Sequence, residues 1–86
     1  MKKFLQSHVY TDFGDFFVST CYRQSSALTE SPPWYYETFA WRLKGEERTD
    51  WIADNSGASG ELGAYKQHLE VVRQLHKTGE YKEEEE

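Results

Sequence analysis

The sequence predicts an α+β domain, a three- to four-stranded antiparallel β-meander packed on one face by a single C-terminal α-helix. Three observations predict it. Residues 34–53, WYYETFAWRLKGEERTDWIA, set two aromatic and branched runs on either side of the polar Lys44-Gly45-Glu46-Glu47, which is the pattern of a β-hairpin. Residues 16–24, FFVSTCYRQ, are rich in β-branched and aromatic side chains and contain neither glycine nor proline. Leu62, Tyr65, Leu69, Val72 and Leu75 recur every three or four residues, as the apolar stripe of an amphipathic helix does.

Taken in order, residues 4–11 alternate weakly and read as an edge strand, with Leu5 and Val9 on one side and Phe4, His8 and Tyr10 on the other. Asp12-Phe13-Gly14-Asp15 supplies a turn, because glycine and aspartate adopt tight-turn conformations readily. In the second strand, residues 16–24, the even positions Phe16, Val18, Thr20 and Tyr22 form the more apolar face. Residues 25–33, SSALTESPP, read as a loop, since paired prolines are incompatible with a central strand.

The third strand carries Tyr35, Glu37, Phe39, Trp41 and Leu43 at its odd positions, and that face is expected to form the core beneath the helix. The fourth, residues 48–54, puts Thr49, Trp51 and Ala53 on one face. Residues 55–60, NSGASG, then read as a flexible connector of small side chains. Ser59 is the expected N-cap, Glu61 complements the helix dipole, and Gly79 suits the position that ends the helix. Residues 1–80 are expected to form one domain, followed by an acidic disordered tail at residues 81–86.

A chain of 86 residues holds one small core, and an aromatic content of 16% helps to fill it. The net charge of −5 is concentrated in the terminal glutamates. Without that run of four, eleven acids face ten bases, a balance that supports neither a DNA-mimic surface nor a broad phosphate-binding one. The lone cysteine, Cys21, cannot form an internal disulfide, and the polar start of the chain does not resemble a signal peptide, so a reducing cytoplasm is the expected compartment. No apolar run is long enough to span a bilayer, so no membrane partner is expected.

Phe17-Val18-Ser19-Thr20, then Pro32-Pro33-Trp34-Tyr35-Tyr36-Glu37-Thr38, then Ala64 and His68 followed by Val71, resemble a group of small uncharacterised phage and prophage proteins. Those proteins combine a Val-Ser-Thr strand, an aromatic-Glu-Thr strand and a C-terminal helix. The group tends to carry a His-Gly-Phe-Gly type of loop after its first strand where this chain has SSALTESPP. The resemblance therefore implies a fold and a phage or prophage origin, without an activity.

No catalytic or cofactor motif emerges, and the chain is not expected to be an enzyme. Cys21 reads as a small buried strand residue rather than a nucleophile. His68 and His76 lie eight residues apart, two helical turns, which is too far to share one metal ion. Glu37 interrupts an apolar face and needs a partner such as Arg23, Tyr65 or a backbone amide. Gly57 and Gly60 lack the lysine that would make a phosphate-binding loop.

One helix covers one side of such a sheet, leaving some of Phe17, Trp34, Tyr36 and Ile52 on the other. The expected function is protein binding through that face, with Trp34 and Tyr36 as anchors and Arg42 and Arg23 beside them, the partner being a host or phage protein or a second copy of the chain. The alternative is weak binding of single-stranded nucleic acid, with the same rings stacking on bases and Arg23 and Arg42 on phosphates.

Overall fold

A computed structural model describes residues 2–25 and 33–82, and those residues form an α+β domain. Four strands, β1 (Lys2–Thr11), β2 (Gly14–Gln24), β3 (Trp34–Lys44) and β4 (Glu47–Ala58), precede one helix, α1 (Glu61–Thr78). The sheet is an antiparallel meander in the order β1-β2-β3-β4, so each strand pairs with its sequence neighbour and β1 and β4 are the two edges. Most of the expected loop at residues 25–33 lies outside the described residues, as does the acidic run at 83–86.

Two elements run longer than the sequence suggests. β1 begins at Lys2, with a register shift between Lys3 and Leu5. β4 continues through Asn55-Ser56-Gly57-Ala58, where a flexible connector was expected. That extension is held by side chains. Asn55 Nδ2 donates to Tyr81 Oη at 2.7 Å, and the Gly57 amide donates to Gln67 Oε1 at 3.1 Å. Small side chains there let the start of α1 come close to the sheet: a Cβ at Gly63 would stand 3.4 Å from that of Ala58.

β4 also carries three register shifts against β3, between Tyr36 and Thr38, Ala40 and Trp41, and Trp41 and Leu43. Each adds a residue to β4 and increases the local twist. The pairings that result put Trp51 opposite Trp41 and Arg48 opposite Leu43.

The helix covers the face opposite to the expected one. Directly paired residues share a face, so Phe16, Val18, Thr20 and Tyr22 of β2 align with Arg42, Ala40, Thr38 and Tyr36 of β3. It is this even face that meets α1. Val9, Phe16, Val18, Ala40, Ala53, Val71 and Leu75 form the main core, with Ile52, Val72 and Tyr81 packed against it. Tyr36, Ala58 and Ala64 form a second cluster with Phe4 and Tyr22. Thr38, Ala40 and Ala53 are small enough to leave room for a closely packed helix, whereas Phe39 and Trp41 on the odd face would hold one away. Tyr81 belongs to this packing, so the body of the domain extends past residue 80.

The helix is also rotated relative to its apolar stripe. Its buried positions are Ala64, Gln67, His68, Val71 and Leu75, while Leu62 and Leu69 are 69% and 60% exposed. The cause is the polar centre of the sheet face, where Ser7, Thr20 and Thr38 call for hydrogen-bonding partners. His68 Nδ1 lies 2.8 Å from Thr20 Oγ1 and its Nε2 lies 2.9 Å from Ser7 Oγ. Thr20 and Thr38 hydroxyls are 2.6 Å apart, and Gln67 Nε2 donates to Thr38 Oγ1 at 2.9 Å. Among the described residues, no buried side-chain nitrogen or oxygen is left without a partner.

Helix α1 starts at Gly60 as N-cap, with no side-chain cap, so the expected cap at Ser59 does not form. It ends at Gly79, whose φ of 75° is left-handed and whose amide donates to Leu75 O at 2.9 Å. No helix among the described residues is long and apolar enough to cross a membrane.

Candidate functional site

The face that α1 leaves open is built from the odd positions of β2 and β3. Phe17 pairs with Trp41, and Trp41 with Trp51, so three strands place one ring each in a row across the sheet. His8 extends that row onto β1, with its ring edge-on to Phe17 at 5.3 Å. Phe39 stands in the next row, 5.7 Å from Trp41 and 6.0 Å from Trp51. Trp51 is 61% exposed, and its indole Nε1 donates to Ala53 O at 2.7 Å, which holds the ring in place.

Arg48 lies over this surface. Its guanidinium sits 4.3 Å from the Phe17 ring centre and 4.8 Å from that of Trp41, so two aromatic faces attract one cation. Beside it is a hollow of about 350 Å³ lined by Lys3, Gln6, Ser19, Cys21, Phe39, Trp41 and Arg48. Its walls combine two aromatic rings with amide and hydroxyl groups and a cation on either side. That composition suits a guest with an apolar body and a negative group. Gln6 Nε2 donates to Ser19 Oγ at 3.2 Å, which orients the polar side of the hollow.

Two acids share the face of the hollow. Asp54 pairs with Phe39, and Glu37 pairs with Cys21, both on the open face. Glu37 is buried and accepts a hydrogen bond from Arg23 Nη1 at 2.8 Å. Burial, then the hydrogen bond and charge of Asp54, raise the Glu37 carboxyl above its ordinary pKa, against the lowering effect of Arg23. Of the three partners considered for Glu37, Arg23 is engaged, and on the open face rather than under the helix. Cys21 is a buried strand residue whose Sγ lies 3.5 Å from Ser19 Oγ.

The four residues expected to bind do not converge. Trp34, Tyr36 and Arg42 all lie on the helix side, and Arg23 lies on the open side. Tyr36 is buried between the start of α1 and the sheet. Trp34 is 42% exposed, yet it stacks on Tyr22 at 5.0 Å on the helix side. The Arg42 guanidinium sits 5.0 Å from the Phe16 ring centre and donates to Phe13 O at 3.1 Å. Of the residues expected to be left open, Phe17 is on the open face, while Ile52 packs against the main core.

Trp51, Phe39 and Arg48 are the residues missed as candidates. The signal for Trp51 was present, since it directly follows the polar run Glu47-Arg48-Thr49-Asp50. Its alignment with Trp41 depends on the bulges of β4, which period-2 alternation cannot reveal. His68 is 1% exposed, and burial lowers its pKa to about 4. Both its ring nitrogens are engaged by Ser7 and Thr20 hydroxyls, so it ties the helix to the sheet. No family model, curated protein or solved structure matches the chain.

Proposed function

We propose that the chain is a small interaction protein that binds another protein through the sheet face opposite α1. The observation that carries this reading is Trp51, 61% exposed on that face, with the half-buried rings of Trp41 and Phe39 beside it and Phe17 buried under Arg48. Trp51 and Phe39 are the anchors. Lys3 and Arg48 on either side of the hollow define the partner's chemistry as a segment with an aliphatic or aromatic side chain next to a carboxylate. The resemblance to phage and prophage proteins makes a host or phage protein in the cytoplasm the partner class.

Single-stranded nucleic acid is the weaker reading, because it calls on Arg23 and Arg42, which are engaged with Glu37 and with Phe16 and Phe13. Selection from a random peptide display library tests both. Enriched peptides should combine an apolar anchor with an acid, and binding should fall at least tenfold in Trp51→Ala and in Arg48→Glu, with unchanged circular dichroism. Peptides that bind both variants as tightly as the wild type remove the assignment. Tight, steeply salt-dependent capture of an oligonucleotide in place of peptides would transfer the face to nucleic acid.

A further inference from the structure

The two sheet edges differ in a way that the open face does not explain. β4 is blunted as an edge: three bulges break its register, and Glu47, Arg48, Asp50 and Asp54 place charges along it. β1 is not. Its pairing with β2 is regular from Leu5 to Thr11, and the stretch Leu5-Gln6-Ser7-His8-Val9-Tyr10-Thr11 contains no lysine, arginine, aspartate or glutamate. A long, regular, uncharged edge is a template for another strand.

The charges that β1 does carry are at its ends and have opposite sign. Lys2 and Lys3 open the strand, and Asp12 follows its last residue. Antiparallel pairing with a second β1 brings the lysines of one copy beside the Asp12 of the other, twice per dimer. A parallel arrangement would stack lysine on lysine. We propose that the chain forms a two-fold homodimer in which β1 pairs antiparallel with β1 of a second copy, making one continuous eight-stranded sheet.

The pleat constrains the axis. Leu5, Ser7 and Val9 face α1, while Gln6, His8 and Tyr10 face the open side, and directly opposed residues must share a face. An axis perpendicular to the sheet therefore passes between a residue and its own symmetry mate, with Ser7 and His8 the central choices, and either brings the lysine end toward Asp12. Both helices then lie on one side. The flank of α1 that carries Leu62, Tyr65 and Leu69 is the flank on the β1 side, since the Tyr65 ring meets Phe4 of β1 at 5.1 Å. Its exposed apolar residues thus turn toward the seam from both copies. On the opposite side, the two aromatic rows join through His8 into a single surface.

The dimer does not depend on the open face binding a partner, and the two are tested separately. Light scattering from micromolar to millimolar concentration should show a dimer, and amide exchange in β1 should slow as the dimer forms. Changing Lys2→Asp, which leaves the Lys3 of the hollow in place, should raise the dimer Kd by roughly tenfold, as expected for turning two symmetry-related exposed ion pairs into repulsions. Adding Asp12→Lys to that variant should restore the wild-type Kd. Trp51→Ala should leave it unchanged. A monomer throughout that range overturns the proposal, as does a dimer that is insensitive to the charge exchange or is abolished by Trp51→Ala.

Discussion

His68 shows how one side chain can be selected for hydrogen bonding where apolarity was expected. Gln67 Nε2 donates to Thr38, and one proton order consistent with the remaining contacts runs from Thr38 to Thr20, from Thr20 to Nδ1 and from Nε2–H to Ser7. A second proton on the ring would place a charge in the core, which is why burial lowers the pKa to about 4 from an ordinary 6.5. The unfolded chain binds that proton between these two values and the folded chain does not. Its contribution to stability is therefore full above the unfolded pKa and declines by about 1.4 kcal/mol per pH unit as pH falls from 6.5 toward 4. Urea unfolding across this window should show stability falling with pH, less steeply than His68 alone would give because the raised Glu37 pKa acts in the opposite sense, and His68→Asn should remove the His68 part while lowering stability at pH 7.

Among the elements, α1 and β4 depart furthest from simple periodicity. Leu75 and Leu69 belong to the same apolar stripe, but only Leu75 is fully buried. Leu75→Ala is expected to cost about 3 kcal/mol, and Leu69→Ala to stay within about 0.5 kcal/mol in the monomer, as read by denaturant midpoints. The helix end offers a parallel contrast. Gly79 has φ +75° and a Cβ there would stand 2.5 Å from Phe13 Cβ, whereas Gly45, at φ +64° in the hairpin turn, has nothing within 4 Å. Both alanine substitutions incur left-handed strain of about 1 kcal/mol, and Gly79→Ala adds a steric clash. Chemical denaturation should place Gly79→Ala at least about 1 kcal/mol below Gly45→Ala.

For the domain as a unit, the two sides of the sheet divide the labour. One side, small and polar at its centre, is satisfied by α1, and the other presents the exposed Trp51 beside a hollow lined by Phe39, Trp41, Lys3 and Arg48. Pairing through β1 would double that surface without covering it, so a dimer would offer two hollows on one plane. Bivalent presentation of this kind raises avidity toward a repeated or multimeric target.

The antiparallel meander, the hairpin about Gly45, the single helix and its glycine stop were legible because each is written locally, in alternation, turn residues and a period of three to four. That Glu37 needs a partner was legible too, since a buried carboxylate cannot stand alone, but the choice of Arg23 over Tyr65 or a backbone amide was not. Which face meets the helix was decided only in three dimensions. Counting apolar residues favoured Phe39 and Trp41, but helix packing depends on close approach, which Thr38, Ala40 and Ala53 allow, and on matching Thr20 and Ser7 with His68 and Gln67. For the same reason Trp34, Tyr36 and Arg42 fell on the helix side, and Trp51 and Arg48 took their place on the open one. Side-chain parity is a local property, whereas the choice between two apolar faces is made by the element that packs across them.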